Sequence, residues 1–324
     1  MYAVTISEPG GPDVLQWREV PEPEPAPDEV VIDVYAAGVN RADLLQRQGY
    51  YPPPPGASDY PGLECSGTVR ACGADVTQWR VDDQVCALLP GGGYAERVAV
   101  HESLVLPVPD NVSVTAAAAL VEVAATVYSN VTQFGRLAAG ESVLIHGGSG
   151  GVGSFAIQWA RTIGATVFTT SRSANHEMLS RLGADVTIDY GTEDFGEVVA
   201  EHTNGLGVDV ILDVMGAAYL DKNVDALAPD GRCAIIGMQG GRKGELSVGK
   251  LLAKRGTIMA AGLRSRPLAD RAAIVAGLGE EVWPHVSAGR LQPVIASRVP
   301  MAQASAAHEA MEQGGHVGKI LLTT

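Results

Sequence analysis

The sequence predicts a two-domain α/β protein, in which a doubly wound parallel sheet accompanies a separate β-rich domain. The chain has 324 residues, about twice the usual length of one domain. Its first part, up to about residue 120, is rich in short β-branched runs. From Val114 onward, short apolar runs alternate with helical segments. That alternation is typical of a parallel sheet covered by helices on both faces.

The predicted strands of the β-rich part are bounded by Gly, Pro and Asp. They lie near Val4, from Val30 and from Ser66. The proline run at residues 21–27 predicts an extended surface connector, because each proline fixes φ and removes a donor. A second proline run, residues 52–55, predicts a loop that is neither helix nor strand.

The parallel sheet is predicted from six short apolar runs, at residues 143–145, 165–169, 186–188, 208–212, 234–236 and 257–261. Helices are predicted at residues 155–163 and 177–182. The most apolar stretch, residues 116–131, contains Glu122 and several polar residues, which favours a buried helix over a membrane span. The end of the chain predicts helices at residues 269–282 and near Ala304, then a strand at residues 319–322.

Composition and charge exclude several classes of protein. Lys and Arg number 23 against 37 Asp and Glu, which gives a net charge of −14 with no basic block, so no nucleic-acid partner is expected. The four cysteines form no C-x-x-C pair, so neither a disulfide framework nor a structural zinc site is expected. The N-terminal segment lacks the pattern of a signal peptide, and the expected location is the cytoplasm, without membrane association.

The most specific motif is the glycine-rich segment after the first apolar run of the predicted parallel sheet. Gly148, Gly150 and Gly153 satisfy the G-x-G-x-x-G spacing between a predicted strand and a predicted helix. One glycine permits the tight bend, one lets the backbone approach a pyrophosphate, and one lets the helix pack on the strand. The helix N-terminus then offers N–H groups to phosphate oxygens. The segment therefore predicts a dinucleotide-binding domain of the Rossmann type.

The residues after the second predicted strand indicate which dinucleotide binds. No acidic residue occurs between Gly153 and Glu177, where an NAD site would place one on the ribose. Arg172 suits a 2′-phosphate, which a guanidinium binds through two hydrogen bonds. NADP(H) is therefore the expected cofactor. The alternative is a solvent-exposed Arg172 beside a helix-capping Ser173.

Several segments beyond the turn match the pattern of a known family. Matching residues around the turn are Gly140, Glu141, Leu144, Gln158 and Arg161, and further matches lie at residues 40–43, 45–49, 53–56, 88–93 and 263–266. On these residues the chain resembles the medium-chain dehydrogenase/reductase superfamily, and within it the zinc-free quinone oxidoreductases of the p53-inducible branch. The resemblance runs along the whole chain.

The resemblance implies how the chain is divided and what it lacks. Residues 1–122 and 267–324 would form a GroES-like catalytic domain, and residues 123–266 the Rossmann domain for NADP. Alcohol dehydrogenases of the superfamily bind catalytic zinc through a Cys and a His, where this chain has Asn40 and Leu63. Leucine cannot bind zinc and asparagine binds it poorly, so no metal is expected.

The resemblance also implies roles for individual residues. Asn40 and Asp43 are expected near the nicotinamide and Tyr51 facing the substrate, which makes these three the catalytic candidates. The expected cofactor-binding residues are Thr126, Gly148, Ser149, Gly150, Gly151, Val152, Gly153, Ser171, Arg172, Tyr190, Gly237, Met238, Gly240, Leu263, Arg264 and Lys319.

The leading hypothesis for function is zinc-independent transfer of hydride from NADPH to a small quinone. A conjugated acceptor delocalises the added charge, so no Lewis acid is needed to stabilise an alkoxide. One alternative is reduction of an enoyl or alkenal double bond, for which Arg264, Arg266 and Arg271 are the only cations near the expected cleft that could hold a carrier arm. Another is a non-enzymatic NADPH-binding or RNA-binding protein. The resemblance further implies a homodimer formed through the strand at residues 257–261.

Overall fold

The computed structural model describes residues 1–324, which form two compact units. One, called here the β-rich unit, consists of Met1–Ala125 and Leu263–Thr324. The other, called the parallel-sheet unit, is Thr126–Gly262. The sequence places the corresponding boundaries after residues 122 and 266.

Before the first boundary the chain forms mainly strands. They are β1 (Tyr2–Ile6), β2 (Leu15–Glu19), β3 (Glu29–Gly38), β4 (Glu64–Cys72), β5 (Gln84–Leu88), β6 (Arg97–His101) and β7 (Val105–Pro107). The helices in this part are α1 (Arg41–Arg47), α2 (Val114–Ala117) and α3 (Val121–Val127), of which α3 contains the boundary between the units.

The parallel-sheet unit alternates strands and helices, as the apolar runs predict. Its strands are β8 (Ser142–His146), β9 (Thr166–Ser171), β10 (Val186–Asp189), β11 (Val208–Asp213), β12 (Leu227–Ile235) and β13 (Thr257–Ala260). Its helices are α4 (Gly151–Ile163), α5 (His176–Leu182), α6 (Phe195–His202), α7 (Leu220–Ala226) and α8 (Val248–Lys254).

The chain then returns to the β-rich unit with three helices and two strands. They are α9 (Leu268–Gly277), α10 (Trp283–Ser287), β14 (Ile295–Pro300), α11 (Ala304–Gln313) and β15 (Lys319–Thr323). The single helix predicted over residues 269–282 is α9 continued by a π-helical turn at Leu278–Val282. That turn leads directly into α10.

The six strands of the parallel-sheet unit lie in the order β10-β9-β8-β11-β12-β13, and each neighbouring pair is parallel. The order reverses between β8 and β11, which is the doubly wound arrangement. A core cluster on this sheet includes Leu144, Phe168, Ile188, Phe195 and Ile211, each at most 3% exposed. The predicted Rossmann sheet is confirmed. Because parallel strands end at one edge, the loops after β8, β9, β11 and β12 share that edge.

The β-rich unit is built on a seven-stranded sheet in the order β14-β15-β3-β4-β5-β7, in which β6 pairs with β3 outside this path. The central strand β3 is antiparallel to β4, β6 and β15. Strand β15 therefore brings residues from the end of the unit next to residues that follow β3. The predicted β-rich domain is confirmed as well.

The apolar stretch predicted as one helix is interrupted. Helix α2 ends at Ala117, α3 starts at Val121, and a π-helical turn occupies Tyr128–Phe134. The stretch Val114–Phe134 is long and apolar enough to cross a membrane, with a hydropathy of 1.4, but 83% of its most apolar window is buried in the protein. Core helices meet the same criteria, and this burial favours that explanation.

Candidate active site and cofactor site

The glycine turn lies between the end of β8 and the start of α4. A Cβ atom on Gly153 would lie 2.3 Å from the carbonyl oxygen of Gly147, and one on Gly148 would lie 2.1 Å from Thr169 Oγ1. Both positions therefore require glycine. A Cβ on Gly150 would meet only the Gly147 oxygen, at 3.5 Å, so the turn is open on that side. An approaching pyrophosphate needs that opening.

The start of α4 offers unpaired backbone donors on this open side. The first intrahelical bond is donated by the Ser154 N–H to the Gly150 oxygen, at 2.8 Å. The N–H groups of Gly151, Val152 and Gly153 precede it and donate to no protein acceptor, and no side chain caps the helix. Free N–H groups and the positive end of a 13-residue helix form an anion site.

The end of β9 carries the residues predicted to bind a 2′-phosphate. Arg172 is exposed, and its Nε donates to the Tyr190 hydroxyl at 3.1 Å. No carboxylate forms an ion pair with Arg172, so its terminal nitrogens are available to a ligand. Ser171 is buried and donates to the Arg172 carbonyl. The Asp189 carboxylate accepts N–H groups of Ser173 and Gly191, and the Gly191 bond is the main cause that lowers its pKa.

The other predicted cofactor residues of this unit lie on its loops and on α3. Gly237, Met238 and Gly240 follow β12, and the Met238 side chain is 53% exposed. Thr126 is buried in α3. Ser149 lies within the glycine turn.

A buried polar network, which the sequence did not predict, lies next to the glycine turn. His146, the last residue of β8, contacts Thr170 Oγ1 at 3.2 Å and Asn223 Oδ1 at 2.8 Å. Asn223 in turn donates to Asp213 at 3.1 Å, and Asp213 accepts the Met215 N–H. Burial lowers the pKa of His146 to about 4, so this histidine is neutral at pH 7. The network joins the turn to the loop after β11.

In the β-rich unit, Asp43 fixes the entry to α1. Its Oδ2 accepts the Asn40 N–H at 2.8 Å, and its Oδ1 accepts the Gly62 N–H at 2.9 Å. Asp43 is fully buried, and this burial raises its pKa to about 6. The carboxyl group therefore ties two chain segments together and presents no surface to a substrate.

Asn40 and Lys319 lie in one buried ion-pair cluster. The sequence did not predict this contact, because the two residues are far apart in the chain. Lys319 Nζ lies 2.6 Å from Asn40 Oδ1, 2.9 Å from the Val39 oxygen and 2.7 Å from Glu64 Oε1. Asn40 Nδ2 donates to Glu64 Oε1 at 3.1 Å and to the Gly38 oxygen at 3.2 Å. The three donors of Lys319 are thus used inside this unit, and none is left for the cofactor, although the sequence places Lys319 among the expected cofactor-binding residues.

A second buried chain of polar groups extends from Asp43 towards α11. The Tyr94 hydroxyl donates to Asp43 Oδ2 at 3.2 Å and lies 3.3 Å from His308 Nε2. His308 Nδ1 is 3.5 Å from Arg47, which forms an ion pair with Glu312. Burial lowers the pKa of His308 to about 3, and Arg47 contributes to the same shift. We call these five residues the Asp43 relay.

Tyr51 and Arg264 form the remaining part of the predicted site. Arg264 lies with its guanidinium carbon 5.5 Å from the centre of the Tyr51 ring, and it donates to the Tyr51 carbonyl at 3.3 Å. Burial is the main cause that raises the pKa of the Tyr51 hydroxyl. The hydroxyl stays protonated at neutral pH and can donate a hydrogen bond.

Comparison with known proteins identifies the family. Residues 26–110 match a family described as alcohol dehydrogenase GroES-like domain, and residues 151–274 match one described as zinc-binding dehydrogenase. A quinone oxidoreductase from Pseudomonas aeruginosa is 31% identical over 97% of this chain and 96% of its own. The chain belongs to the medium-chain dehydrogenase/reductase superfamily. The resemblance found in the sequence is confirmed, and similar proteins named quinone oxidoreductase and 2-haloacrylate reductase support an enzyme of the oxidoreductase type.

Two further relatives show the range of this superfamily. A 2-haloacrylate reductase from a Burkholderia species is 34% identical over 99% of this chain and 98% of its own. A phenolphthiocerol/phthiocerol polyketide synthase subunit from Mycobacterium tuberculosis is 35% identical over 98% of this chain, which spans only 14% of that much longer protein.

Solved structures of the superfamily agree over the full chain. A quinone oxidoreductase from Pseudomonas syringae has a TM-score of 0.90 at 30% identity and covers 100% of this chain and 99% of its own. The Escherichia coli quinone oxidoreductase complexed with NADPH has a TM-score of 0.91 at 26% identity and covers 100% of both chains. The CurK enoyl reductase has a TM-score of 0.87 at 29% identity, covering 99% of this chain and 98% of its own.

The matched family is described as zinc-binding, but the residues here do not fit a zinc ion. At the two ligand positions inferred from the sequence, Asn40 bonds to the Lys319 ammonium and Leu63 has no donor atom. No group of three or more His, Cys, Asp or Glu side chains in the protein could hold a metal. A buried cation of the protein itself, Lys319, lies where Asn40 and Glu64 converge.

The structure thus brings some predicted residues together and adds others. Asn40, Asp43 and Lys319 belong to connected buried clusters, and Tyr51 and Arg264 contact each other. Glu64, Tyr94 and His308 were not among the predicted site residues, and Arg271 was considered only as a cation for a carrier arm. Glu64 follows Leu63 in the segment compared with the zinc ligands, and this position was the only sequence signal for it.

Proposed function

We propose that the chain is an NADPH-dependent, zinc-independent oxidoreductase that transfers a hydride to a small quinone. The observation that carries the proposal is the Lys319–Glu64–Asn40 cluster, in which a lysine ammonium bonds to Asn40, one of the two residues compared with zinc ligands. The same chain also has an open dinucleotide turn. Support comes from relatives named quinone oxidoreductase, one of them solved with NADPH.

The NADP(H) site would use the two anion-binding features of the parallel-sheet unit. The free N–H groups of Gly151, Val152 and Gly153 would bind the pyrophosphate. The terminal nitrogens of Arg172 would bind the 2′-phosphate, with the guanidinium held by Tyr190. Bound NADPH supplies the hydride.

The residues of the β-rich unit would position the acceptor and respond to its charge. The Tyr51 hydroxyl donates a hydrogen bond to the acceptor oxygen on which negative charge develops. Asn40 and Asp43 act as positioning residues, because their polar atoms are already bonded within the protein. A quinone delocalises the added charge, so these interactions suffice without a Lewis acid.

Reduction of a conjugated carbon–carbon double bond is the second candidate. It is favoured by the 2-haloacrylate reductase and enoyl reductase among the similar proteins. Two arginines with unused donors, Arg264 and Arg271, would suit an acceptor that carries charge. Both candidates use the same cofactor site and the same hydride.

We also propose a cytoplasmic homodimer without nucleic-acid or membrane partners. Strand β13 lies at the edge of its sheet and is paired only with β12. The free backbone N–H and C=O groups of such an edge can pair with the same strand of a second copy across a two-fold axis. Light scattering after gel filtration should give twice the 33.7 kDa of one chain.

The function is tested by following NADPH and NADH oxidation with five acceptors: an ortho-quinone, a para-quinone, an alkenal, crotonyl-CoA and a simple aldehyde. Each is run with and without a chelator. Chelator-insensitive turnover of quinones with preference for NADPH is the expected result. Turnover of the alkenal or thioester alone would select double-bond reduction. Tight NADPH binding without any turnover would contradict both and favour the non-enzymatic alternative.

A further inference from the structure

Four polar side chains form a continuous buried line across three neighbouring strands of the parallel-sheet unit. We call them the His146 chain, and they are Thr170 on β9, His146 on β8, Asn223 on α7 and Asp213 on β11. Each is at most 2% exposed, and none is among the residues expected to bind the cofactor. Polar groups buried this deeply require hydrogen-bond partners, and here they bond to one another.

The direction of these hydrogen bonds is fixed from the Asp213 end. A carboxylate only accepts, and Asp213 already accepts the N–H groups of Met215 at 2.6 Å and Gly216 at 3.1 Å. Burial raises the pKa of Asp213 to about 6, which leaves the carboxyl group ionised at pH 7. The Asn223 amide must therefore point its Nδ2 to Asp213, 3.1 Å away, and its Oδ1 to His146 Nε2, 2.8 Å away.

The orientation of Asn223 selects one tautomer of His146. Because Asn223 Oδ1 accepts, Nε2 of the neutral His146 ring carries the hydrogen and Nδ1 carries none. Nδ1 then accepts the Thr170 hydroxyl, at 3.2 Å. The oxygen of that hydroxyl accepts the Gly147 N–H of the glycine turn, also at 3.2 Å. The hydrogen bonds therefore run in one direction, from the turn to the Asp213 carboxylate.

Each end of the His146 chain holds a loop at the edge of the sheet where the cofactor is expected. At one end, the Thr170 carbonyl also accepts the Gly148 N–H of the turn, at 3.0 Å. At the other end, Asp213 holds the loop after β11, in which the Met215 carbonyl accepts the Gly240 N–H at 2.8 Å. Gly240 lies in the loop after β12 and is one of the expected cofactor-binding residues. The chain thus joins the glycine turn to the loops after β11 and β12.

We propose that the His146 chain positions the glycine turn and the loop after β11 for the cofactor without touching the cofactor itself. A binding surface that is already ordered loses less conformational entropy when its ligand binds, so a fixed turn binds more tightly than one that is free to shift. This inference rests on the proposed NADP(H) site at the turn. It adds the residues that keep the backbone N–H groups of that site in place.

Thr170→Val tests the end of the chain at the turn. The substitution keeps the branched shape but removes the hydroxyl, so the Gly147 N–H loses its acceptor. Fluorescence titration should show the Kd for NADPH and for NADH each raised about tenfold, because both contain the pyrophosphate. The Kd for adenosine 2′-phosphate, which has no pyrophosphate, should stay the same. Thr170→Ser, which keeps the hydroxyl, should bind both cofactors as the wild type does.

The matched control lies at the other end of β8. Ser142, the first residue of that strand, donates from its hydroxyl to Asp209 on β11 at 3.0 Å. Ser142→Ala therefore removes a cross-strand contact of the same kind, away from the turn. It should leave the Kd for both cofactors unchanged.

Asn223→Leu tests whether the chain acts as a unit, because Asn223 bonds to His146 and Asp213 and not to the turn. It should raise both Kd values about tenfold as well. The double variant with Thr170→Val should then bind no more weakly than the weaker single variant, whereas independent contributions would multiply to about 100-fold. Nitrogen NMR of histidine-labelled wild-type protein should show the hydrogen of His146 on Nε2 at pH 7.

The outcomes separate this inference from the proposed function. If Thr170→Val binds NADPH as tightly as the wild type, or if the His146 hydrogen is on Nδ1, the inference is wrong and the proposed function stands. An equal loss of affinity for adenosine 2′-phosphate would show a general disturbance of the unit and would also contradict the inference. If the wild type does not bind NADPH, both are wrong. Circular dichroism checks folding, and the wild-type tautomer tests the chain even where a variant does not fold.

Discussion

The glycine turn of the parallel-sheet unit and the Asp43 relay of the β-rich unit reach a fixed geometry by opposite means. The turn has glycine, and so no side chain, at its close contacts, and its binding groups are backbone N–H donors. The relay is built from five ionisable or hydroxyl side chains, four of which are buried. The glycine turn depends on space in which a ligand can approach the backbone. The Asp43 relay depends on contacts between charged and polar side chains.

Because of that difference, the two sites tolerate different kinds of substitution. A backbone N–H has no charge to titrate, so the turn itself is insensitive to pH. A side chain at Gly153, however, would collide with the Gly147 carbonyl, and one at Gly148 would collide with the Thr169 side chain. The buried clusters accept changes of similar shape but depend on the charge of each partner. Four substitutions test the dependence on space and the dependence on charge. They are given from the largest expected effect to the smallest.

The largest effect is expected from Glu64→Gln. The substitution leaves the buried Lys319 ammonium without its counter-charge, 2.7 Å away in the wild type. Breaking a buried ion pair in this way costs about 3–5 kcal/mol. Urea denaturation should show this loss, and adding Lys319→Met to the same chain should recover part of it. A cost below about 1 kcal/mol would mean that the pair is not buried as described.

Gly153→Ala tests the turn. The new Cβ would lie 2.3 Å from the Gly147 oxygen, so the turn must move and its N–H groups lose their alignment. The Kd for NADPH should rise by about 100-fold, equivalent to roughly 2.7 kcal/mol. Fluorescence titration measures it. Gly249→Ala in α8, where nothing lies within 4 Å, is the control and should leave the Kd unchanged. Equal affinities in both variants would contradict a phosphate site at the turn.

His308→Gln tests how the relay depends on pH. The pKa of His308 falls from 6.5 to about 3 on burial, so between these values the unfolded chain binds a proton that the folded protein does not. Stability is therefore lost as pH falls through this window, by about 1.4 kcal/mol per unit. The difference in unfolding free energy between pH 7 and pH 4.5 should shrink by about 2–3 kcal/mol in the variant.

The His308 variant is needed because Asp43 acts in the opposite direction. Its pKa is raised to about 6, so its contribution to stability is present at low pH and is lost as pH rises towards 6. In the wild type the two slopes partly cancel. His101→Gln, at a partly exposed position, serves as control. An unchanged pH dependence in His308→Gln would show that the buried histidine is not neutral in the folded protein.

Arg172→Ala should give the smallest of the four effects. The residue is exposed, and loss of one solvent-screened phosphate contact should raise KM for NADPH by roughly tenfold, about 1.4 kcal/mol. KM for NADH, which has no 2′-phosphate, should stay the same. Arg255→Ala, at another exposed arginine of the same unit, is the control. A parallel rise for both cofactors would place Arg172 outside the 2′-phosphate site.

Much of the fold could be predicted because its signals are local. The strand that ends at His146, the glycine turn and the helix after it occupy one continuous segment, and the apolar runs alternate regularly around it. The first and last residues of the helices were predicted less accurately than their presence. Helix α4 starts at Gly151 rather than at residue 155, because glycine gives no apolar pattern at the start of a helix.

The buried clusters could not be predicted because their members are far apart in the chain. Lys319 is 279 residues from Asn40, and His308 is 214 residues from Tyr94. A lone histidine or lysine carries no periodic signal. The antiparallel pairing of β15 with β3 brings Lys319 next to the segment that follows β3, and helix α11 brings His308 to Tyr94. The unused donors of Arg271 likewise become visible only once burial is known.

The position of Lys319 in β15 has a consequence for the biosynthesis of the protein. While the ribosome is still translating the parallel-sheet unit, β3 and β4 are already made, and Glu64 has no ammonium with which to pair. The ion-pair cluster around Asn40 can close only once β15 (Lys319–Thr323) has been made. Pairing over such a sequence separation is slow, because the loop entropy must be overcome before the contact forms. The nascent chain therefore carries an unneutralised carboxylate at its future site until Lys319 has been added.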